Sequence, residues 1–429
     1  MILTEIPSNN DTNTKLFQFD VILISGEFWA DHPHSGVGII ARVLENAGYS
    51  VGIIEKPNWR SPTDFMKMRL PKLFFGITSG SIDSMLQNYT PLKKPRSKDA
   101  FNPFDSQIPD RAVIVYSQMV HRAINLLQSK LEHSRVIPAP IPIVLGGVEA
   151  SLRRFTHYDY WDNKLRRPIL FDAKADILVF GPGEFQIVEI ANRLLNKKSL
   201  IGIPGTSVIL EEANLSEIPE PKEYLPPYAT VKQSKEAFCD MQLAFSNQKT
   251  LIQQVDHRYI VQIQQHSYTS AELDAVYRLP FSYDVPKEFP EFNMAQFSII
   301  THRGCIGQCN FCAIALHQGT KIVSRSQQNI LDEITRMAQH PDFTGNIGDL
   351  GGPSANMYGM DCDNSAFCSK NCLTCRILDQ SHQKPVDLLR AARKIPGVKK
   401  IFVRSGIRYD MVVDRDEYLQ EISDHHISG

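Results

Sequence analysis

The stretch CIGQCNFC, residues 305–312, places three cysteines within eight residues at the spacing CxxxCxxC. The preceding residues 297–300, FSII, are apolar and partly β-branched, so the motif is predicted to lie in a loop that leaves a buried strand. Thiolates are the usual protein ligands of iron–sulfur clusters, and three of them leave one iron of a [4Fe–4S] cluster without a protein ligand. That iron can bind a further ligand. Phe311, just before the third cysteine, could shield the cluster or pack against that ligand.

The residues alone leave open two other interpretations of Cys305, Cys309 and Cys312. A zinc site could use them, although structural zinc normally takes four ligands, commonly in CxxC-like pairs, and a CxxxC pair fits that pattern less well. Cysteines that are clustered in a core without any metal are the third reading. The spacing favours the iron–sulfur cluster.

A CxxxCxΦC motif after a strand, where Φ is aromatic, resembles the signature of the radical SAM superfamily. The flanking segments THRG (301–304), HQG (317–319) and SRS (324–326) are similar to those of the YgiQ-type family within it. The resemblance runs over nearly the whole chain, but its chemistry-bearing motifs lie after residue 296.

The resemblance implies a [4Fe–4S] cluster on Cys305, Cys309 and Cys312, with S-adenosylmethionine (SAM) on the open iron through its amino and carboxylate groups. It also implies the activity: one-electron reduction of SAM to methionine and a 5′-deoxyadenosyl radical, which abstracts hydrogen from a substrate. The motifs do not identify that substrate. A reductant such as flavodoxin or ferredoxin is the implied electron donor.

Composition sets the broad class. The chain has 429 residues and a net charge of −1, which suggests two or three domains and does not indicate binding to nucleic acid or to an anionic membrane. Neither a signal peptide nor an apolar run as long as a membrane helix is found in the sequence, so a cytoplasmic protein is expected. Seven of the eight cysteines lie between residues 305 and 375, which favours metal over disulfides in a reducing compartment. Cys239 stands apart and is expected to be buried.

Residues 1–199 are predicted to form a doubly wound α/β domain, because apolar β-branched runs alternate with helical patterns. The predicted strands are residues 21–26, 51–54, 73–77, 112–116, 143–147 and 176–180. Such a domain resembles the cobalamin-binding-like domain that precedes the catalytic barrel in many radical SAM enzymes. Its DxHxxG motif is not met, because Pro33 stands where the histidine is required. We therefore favour a domain of this shape without cobalamin over one that binds it.

Residues 200–290 contain several prolines and are predicted to be a linker with a small subdomain. From residue 291 to 429 strand–helix alternation resumes, with strands at 297–300, 345–350 and 400–403. These three units resemble the first half of a radical SAM partial (β/α) barrel. The fold class expected is therefore α/β, with an N-terminal doubly wound domain followed by a truncated barrel.

The second predicted strand ends in Gly351-Gly352-Pro353, where the superfamily commonly has a GGE-type motif that holds the amino group of SAM. Proline replaces the glutamate, so backbone groups would have to suffice; a plain turn is the alternative. Ser405 and Arg408 follow the third strand and could contact SAM or substrate, or belong to a solvated loop.

A second group, Cys362, Cys368, Cys372 and Cys375, has the spacing Cx5Cx3CxxC. Four thiolates are enough for an auxiliary Fe–S cluster or a closed zinc site, and the spacing is irregular for both. Reduced or redox-active thiols without metal are the alternative.

The three barrel units identified fall short of the number that the superfamily usually builds. The sequence therefore suggests an N-terminal fragment, with a separately encoded C-terminal fragment as a partner. Two functions compete with a radical SAM enzyme: a metal-stabilised binding module, and a non-catalytic fragment of the enzyme.

Overall fold

A computed structural model of the chain describes residues 1–6, 17–96, 108–131, 140–246, 249–285, 293–307, 309–362, 368 and 372–427. The chain forms two compact units: residues 1–29 with 40–266, and residues 30–39 with 267–429. Within the described ranges, no helix is both long and apolar enough to cross a membrane.

The first unit is organised by twelve strands: β1 (Ile2–Leu3), β2 (Val21–Ser25), β3 (Val51–Glu55), β4 (Phe74–Thr78), β5 (Ile143–Leu145), β6 (His157–Asp159), β7 (Lys164–Arg166), β8 (Ile177–Val179), β9 (Thr206–Leu210), β10 (Lys222–Leu225), β11 (Thr250–Val255) and β12 (Arg258–Gln262). Ten of them form one sheet in the order β1-β3-β2-β4-β5-β8-β9-β12-β11-β10. The first six in that order are parallel, and β9, β12 and β11 join by antiparallel pairing. β6 and β7 form a separate hairpin.

Helices connect these strands: α1 (Gly36–Asn46), α2 (Thr63–Met66), α3 (Ser84–Asn88), α4 (Ala112–Leu131), α5 (Gly147–Leu152), α6 (Ile169–Ala173), α7 (Glu184–Leu195), α8 (Tyr228–Gln233) and α9 (Lys235–Ser246). Near-continuous apolar runs are typical of parallel strands that helices bury on both faces. The α/β class predicted from the sequence is confirmed.

Two sequence predictions in this unit are wrong. Residues 112–116, predicted to be a strand, begin the twenty-residue helix α4. Its buried residues Ala112, Tyr116, Val120 and Ala123 recur at helical spacing, a pattern that a five-residue window of β-branched residues conceals. Cys239, predicted to be buried, is exposed on α9.

Residues 206–262, which the sequence analysis places in a linker and small subdomain, add β9–β12 to the main sheet. The prolines that suggested a linker lie between strands: Pro204 precedes β9, Pro219 and Pro221 precede β10, and Pro226 follows it. Proline is tolerated outside the hydrogen-bonded ladder, so these residues end strands without interrupting the sheet. The compact units divide at residue 266, and not at 199 or 290.

The second unit contains β13 (Ser298–Ile300), β14 (His302–Arg303), β15 (Val323–Ser324), β16 (Asn346–Ile347), β17 (Asp349–Gly351) and β18 (Lys400–Ile401), with helices α10 (Ser270–Tyr277), α11 (Asn293–Gln296), α12 (Ile314–Gln318), α13 (Gln327–Met337), α14 (Gln383–Ala392) and α15 (Asp416–His425). β13 is parallel to β17, and β16 is parallel to β18. The Leu350 amide donates to the Phe402 carbonyl at 2.9 Å, and the Phe402 amide to the Ile347 carbonyl at 3.0 Å. Three parallel strands therefore lie side by side in chain order.

Helix α13 connects the first two of these strands. Ser326 caps it by accepting a hydrogen bond from the Asn329 amide, and Ile330, Ile334 and Met337 are completely buried. Because the strands are parallel, their carboxyl ends meet at one edge of the unit. That edge carries the cysteine loop, the Gly351–Pro353 turn and residues 403–408.

Candidate active site

The cysteine loop is closed at its base by a short antiparallel ladder. His302 pairs with Ser324 and Arg303 with Val323. Two residues beyond Arg303, the Cys305 amide donates to the Gly319 carbonyl at 3.1 Å. Residues 304–322 therefore form a loop whose two ends are fixed to each other by backbone hydrogen bonds.

Gly304 begins this loop in a conformation that only glycine adopts readily. Its φ is +85°, and a Cβ atom there would lie 1.9 Å from the Lys321 carbonyl oxygen. Its amide donates to Oε1 of Gln318 at 3.3 Å. Close approach of two backbone segments thus requires the glycine before the first cysteine.

Cys305, Cys309 and Cys312 are all half-buried. The Gly307 amide donates to the Cys305 sulfur at 3.4 Å, and the Cys312 amide donates to the Cys309 carbonyl at 2.9 Å, which closes a turn between the second and third cysteines. Burial raises the pKa of the Cys305 thiol, and the negative charges of Cys312 and Cys309 raise it further. The negative charges of the three thiolates repel one another, so a bound cation would stabilise them.

Arg408 reaches this loop from the end of the third strand. One terminal nitrogen of its guanidinium lies 3.3 Å from the Gly307 carbonyl oxygen and 3.5 Å from the Cys309 sulfur. The other side of the guanidinium contacts Asp410 through two hydrogen bonds, of 3.0 and 2.6 Å. The structure thus brings Arg408 to the cysteines, which sequence spacing did not predict.

The Gly351–Pro353 turn ends the second strand where neighbouring side chains leave no space for a Cβ atom. At Gly351 a Cβ would lie 2.5 Å from Oγ of Ser405, and at Gly352 it would lie 2.5 Å from the imidazole of His302. The Gly351 carbonyl already accepts two hydrogen bonds from Thr301, one from the amide at 2.7 Å and one from the hydroxyl at 3.0 Å. The turn is therefore packed tightly against the strand that leads to the cysteines.

Ser405 is hydrogen-bonded to Asp349 of the second strand, β17. Its hydroxyl donates to Oδ2 of Asp349, while the amides of Arg404 and Ser405 donate to Oδ1 at 2.7 and 3.1 Å. Asp349 therefore joins the ends of the second and third strands. A contact of Ser405 with SAM or substrate stays a prediction.

His302 is completely buried beneath the turn. Burial lowers its pKa to about 3, so the imidazole is neutral. Nδ1 lies 2.9 Å from the Thr301 hydroxyl, and in the described part of the chain Nε2 has no hydrogen-bond partner. The flanking motif THRG contains this residue, and the structure makes it the packing partner of Gly352.

Phe311 stands apart from these contacts, because 92% of its surface is exposed. Its predicted role in shielding a cluster or a cluster-bound ligand stays a prediction.

The second cysteine group lies beside the first. Cys362, Cys372 and Cys375 pack, together with Cys305, against one apolar cluster formed by Ile306, Ile322, Met357, Met360, Leu378 and Met411. The Cys375 amide donates to the Cys372 carbonyl at 3.2 Å in a short 3₁₀ turn. Burial raises the pKa of the Cys372 thiol, and the charges of Cys368, Cys375 and Cys362 raise it further.

Neither cysteine group has its side chains arranged as metal ligands. Among the residues that the structure describes, no group of three or more His, Cys, Asp or Glu side chains is placed so that it could hold a metal ion. Binding of a metal at either group therefore requires the thiols to converge.

Comparison with known proteins assigns the chain to a family. The Radical SAM N-terminal family matches residues 6–301. The chain is 41% identical to a UPF0313 protein of Methanosarcina acetivorans, over 96% of this chain and 60% of that protein. For UPF0313 proteins of Methanosarcina mazei and Fusobacterium nucleatum the identities are 39% and 40%, over 96% of this chain and 72% and 74% of theirs.

These matches define the class of protein: the chain contains a radical SAM N-terminal region. The chain belongs to the UPF0313 family, the YgiQ-like group of the radical SAM superfamily, and this confirms the resemblance drawn from the flanking motifs. It spans between 60% and 74% of the length of these three relatives.

Two solved structures of the radical S-adenosylmethionine methyltransferase TsrM from Kitasatospora setae share a weaker similarity. One, with cobalamin and a [4Fe–4S] cluster bound, has a TM-score of 0.47 and 15% identity, over 94% of this chain and 57% of that one. The other, with tryptophan and aza-SAM, has a TM-score of 0.45 and 14% identity over the same shares. Values this low transfer no ligand from TsrM to this chain.

Proposed function

We propose that this chain is the part of a radical SAM enzyme that holds a [4Fe–4S] cluster on Cys305, Cys309 and Cys312 and SAM beside it. The observation that carries the proposal is the loop itself: three half-buried thiols between two ends that are held together by a backbone ladder. Three thiols in residues 304–322 fit a cluster with one open iron and fall short of the four ligands of a structural zinc site.

When bound, the cluster and SAM supply one-electron cleavage of the sulfonium to methionine and a 5′-deoxyadenosyl radical, which takes a hydrogen atom from the substrate. The electron comes from a one-electron reductant of the flavodoxin or ferredoxin class. The chain contributes binding and orientation. Because Thr301 occupies the Gly351 carbonyl, the backbone of Gly352 and Pro353 is the part of the turn that would accept the amino group of SAM.

Anaerobic reconstitution with iron and sulfide tests the proposal. We expect a brown protein with about four irons at the loop, and 5′-deoxyadenosine after addition of SAM and dithionite. Serine at Cys305, Cys309 or Cys312 removes a thiolate ligand, so each variant is expected to lose that iron and the product. Cys239→Ser, at an exposed cysteine of the first unit, is the matched control and should behave as the parent.

Other outcomes point to the competing functions. A colourless protein that retains zinc and no iron would support a metal-stabilised binding module. Iron without 5′-deoxyadenosine would support a non-catalytic fragment. Iron retained at the parent level in all three serine variants would exclude the loop as the cluster site.

We propose in addition that Cys362, Cys368, Cys372 and Cys375 bind a metal of their own. What supports this is the packing of three of them on one apolar cluster and the mutual effect of the four thiols on the pKa of Cys372. Four thiolates complete a closed tetrahedral zinc site or an auxiliary cluster, with no position left for substrate. The role expected is structural or electron-transferring.

Elemental analysis of a Cys372→Ser/Cys375→Ser double variant tests this second site. We expect the double variant to lose one zinc, or about four irons if the site holds a cluster, while the iron bound by the Cys305–Cys312 loop stays. An unchanged content of both metals would contradict the second site without affecting the first.

A further inference from the structure

We infer that Arg408 is a positioning residue for the cluster: its guanidinium holds the cysteine loop and donates a hydrogen bond to the sulfur of Cys309, which raises the reduction potential of a cluster bound there. The inference rests on the proposed function, because it assigns Cys309 as a cluster ligand. It also changes the role expected for Arg408, from a contact with SAM or substrate to a contact with the cluster loop.

The hydrogen bonds of the guanidinium carry the first step. Arginine has five N–H donors. Two of them donate to Asp410. The other terminal nitrogen uses two more: it lies 3.3 Å from the Gly307 carbonyl oxygen and 3.5 Å from the Cys309 sulfur. Four donors are thus engaged, which leaves one for the carboxylate of SAM.

The backbone of Arg408 is held as firmly as its side chain. The Arg408 amide donates to Oδ1 of Asn356 at 2.9 Å, and Nδ2 of Asn356 donates back to the Arg408 carbonyl at 3.2 Å. Asn356 itself is completely buried. Arg408 is therefore fixed before any ligand arrives, and a group that is already ordered loses little conformational entropy when it acts.

Gly307 leaves the room that this contact needs. A Cβ atom at Gly307 would lie 2.5 Å from the same guanidinium nitrogen and 3.3 Å from the Cys305 sulfur. The glycine between the first two cysteines therefore leaves the space that the guanidinium occupies. The loop and the arginine fit each other although they are 101 residues apart in sequence.

The chemical consequence follows from charge. Reduction adds one negative charge to a cluster, and hydrogen bonds to the sulfurs are one of the means by which a protein sets its potential. A fixed cation with an N–H directed at a ligand sulfur stabilises the reduced form more than the oxidised form. Arg408 thus makes the cluster easier to reduce, while its bond to the Gly307 carbonyl keeps the loop in place.

The test compares Arg408→Gln, Arg408→Lys and the control Arg404→Gln by two measurements. Arg404 leaves the same strand but is exposed and stacks on Phe402 at 4.7 Å. For Arg408→Gln we expect about a tenfold smaller equilibrium constant for cluster reduction, a midpoint lower by about 59 mV, with iron content kept. Arg408→Lys keeps the charge without the planar fork and should fall between. Arg404→Gln should match the parent.

Hydrogen exchange of the protein without iron is the second measurement. Loss of the bond to the Gly307 carbonyl should speed amide exchange in residues 305–319 of Arg408→Gln, and Arg404→Gln should leave it unchanged. A parent that loads no iron would refute the proposed function, yet the exchange rates would still decide whether Arg408 holds the loop. Unchanged midpoint and unchanged exchange in Arg408→Gln would overturn the inference.

Discussion

Alanine at position 304 is expected to prevent iron loading at the cysteine loop. The added Cβ would lie 1.9 Å from the Lys321 carbonyl oxygen, at a φ of +85°. A non-glycine residue in such a conformation costs about 1–3 kcal/mol, and no side-chain rotation relieves a clash with backbone. The two ends of the loop must therefore separate, which breaks the ladder between His302–Arg303 and Val323–Ser324.

The matched control is Gly406→Ala, in the segment that follows the third strand, β18. A Cβ atom there meets nothing within 4 Å, so iron binding and stability should stay at the parent level. Iron content after reconstitution is the primary measurement, and hydrogen exchange of residues 302–305 and 319–324 reports the ladder without iron. Parent-like iron loading in Gly304→Ala would show that the ladder is not needed to hold the cysteines.

Local patterns in the sequence were enough to predict strands β2 and β3 and the strand before the cysteines. Each of these elements depends on residues that are close along the chain, such as the apolar run at the start of β2, where every residue is buried. The start of α4 was predicted wrongly, because four of its first five residues, at positions 113–116, are β-branched or aromatic and also suit a strand. Only the longer periodicity distinguishes the two.

Contacts across the second unit could not be predicted in the same way. Arg408 meets Gly307 and Cys309 because the third strand lies two places from the first, and strand order is a property of the assembled unit. The signal that existed was indirect: glycines at 304 and 307, on either side of the first cysteine, where close backbone or side-chain approach was to be expected.

Several residues of the flanking motifs that indicated the family hold the cysteine loop in place in the structure. Gly304 permits the close approach of its backbone to the Lys321 carbonyl, and the Gln318 side chain accepts a hydrogen bond from the Gly304 amide. Ser324 lies in the ladder, and Ser326 caps α13. Arg325, which lies between these two serines, has a completely buried side chain.

Glutamine at position 333 is expected to destabilise the second unit by about 3–5 kcal/mol, because it leaves the buried Arg325 guanidinium without its counter-ion. The two side chains are 0% and 1% exposed and lie 2.5 Å apart. Arg325 also donates to the Ile300 carbonyl at 2.8 Å, directly before Thr301, and covers the Tyr277 ring at 4.1 Å. The ion pair thus holds the end of the strand from which the cysteine loop departs.

Urea unfolding that is followed with separate probes distinguishes a loss of stability in the second unit from a loss of stability in the whole chain. All three tryptophans, Trp29, Trp59 and Trp161, lie in the first unit, so their fluorescence reports mainly that unit. Far-UV circular dichroism reports the secondary structure of both units, and hydrogen exchange at residues 298–301 reports the second unit. Glu417→Gln breaks an exposed pair with Arg390 and should leave both probes unchanged, because solvent screens such pairs.

An Arg325→Met/Glu333→Leu variant distinguishes an unpaired buried charge from simple loss of packing. Replacing both charges by apolar side chains removes the unpaired cation, so the double variant should recover part of the stability lost in Glu333→Gln. It should not recover iron loading to the same degree, because methionine cannot donate to the Ile300 carbonyl. Stability without loading would mean that the arginine is needed to place the strand end; equal recovery of both would mean that the pair serves the fold alone.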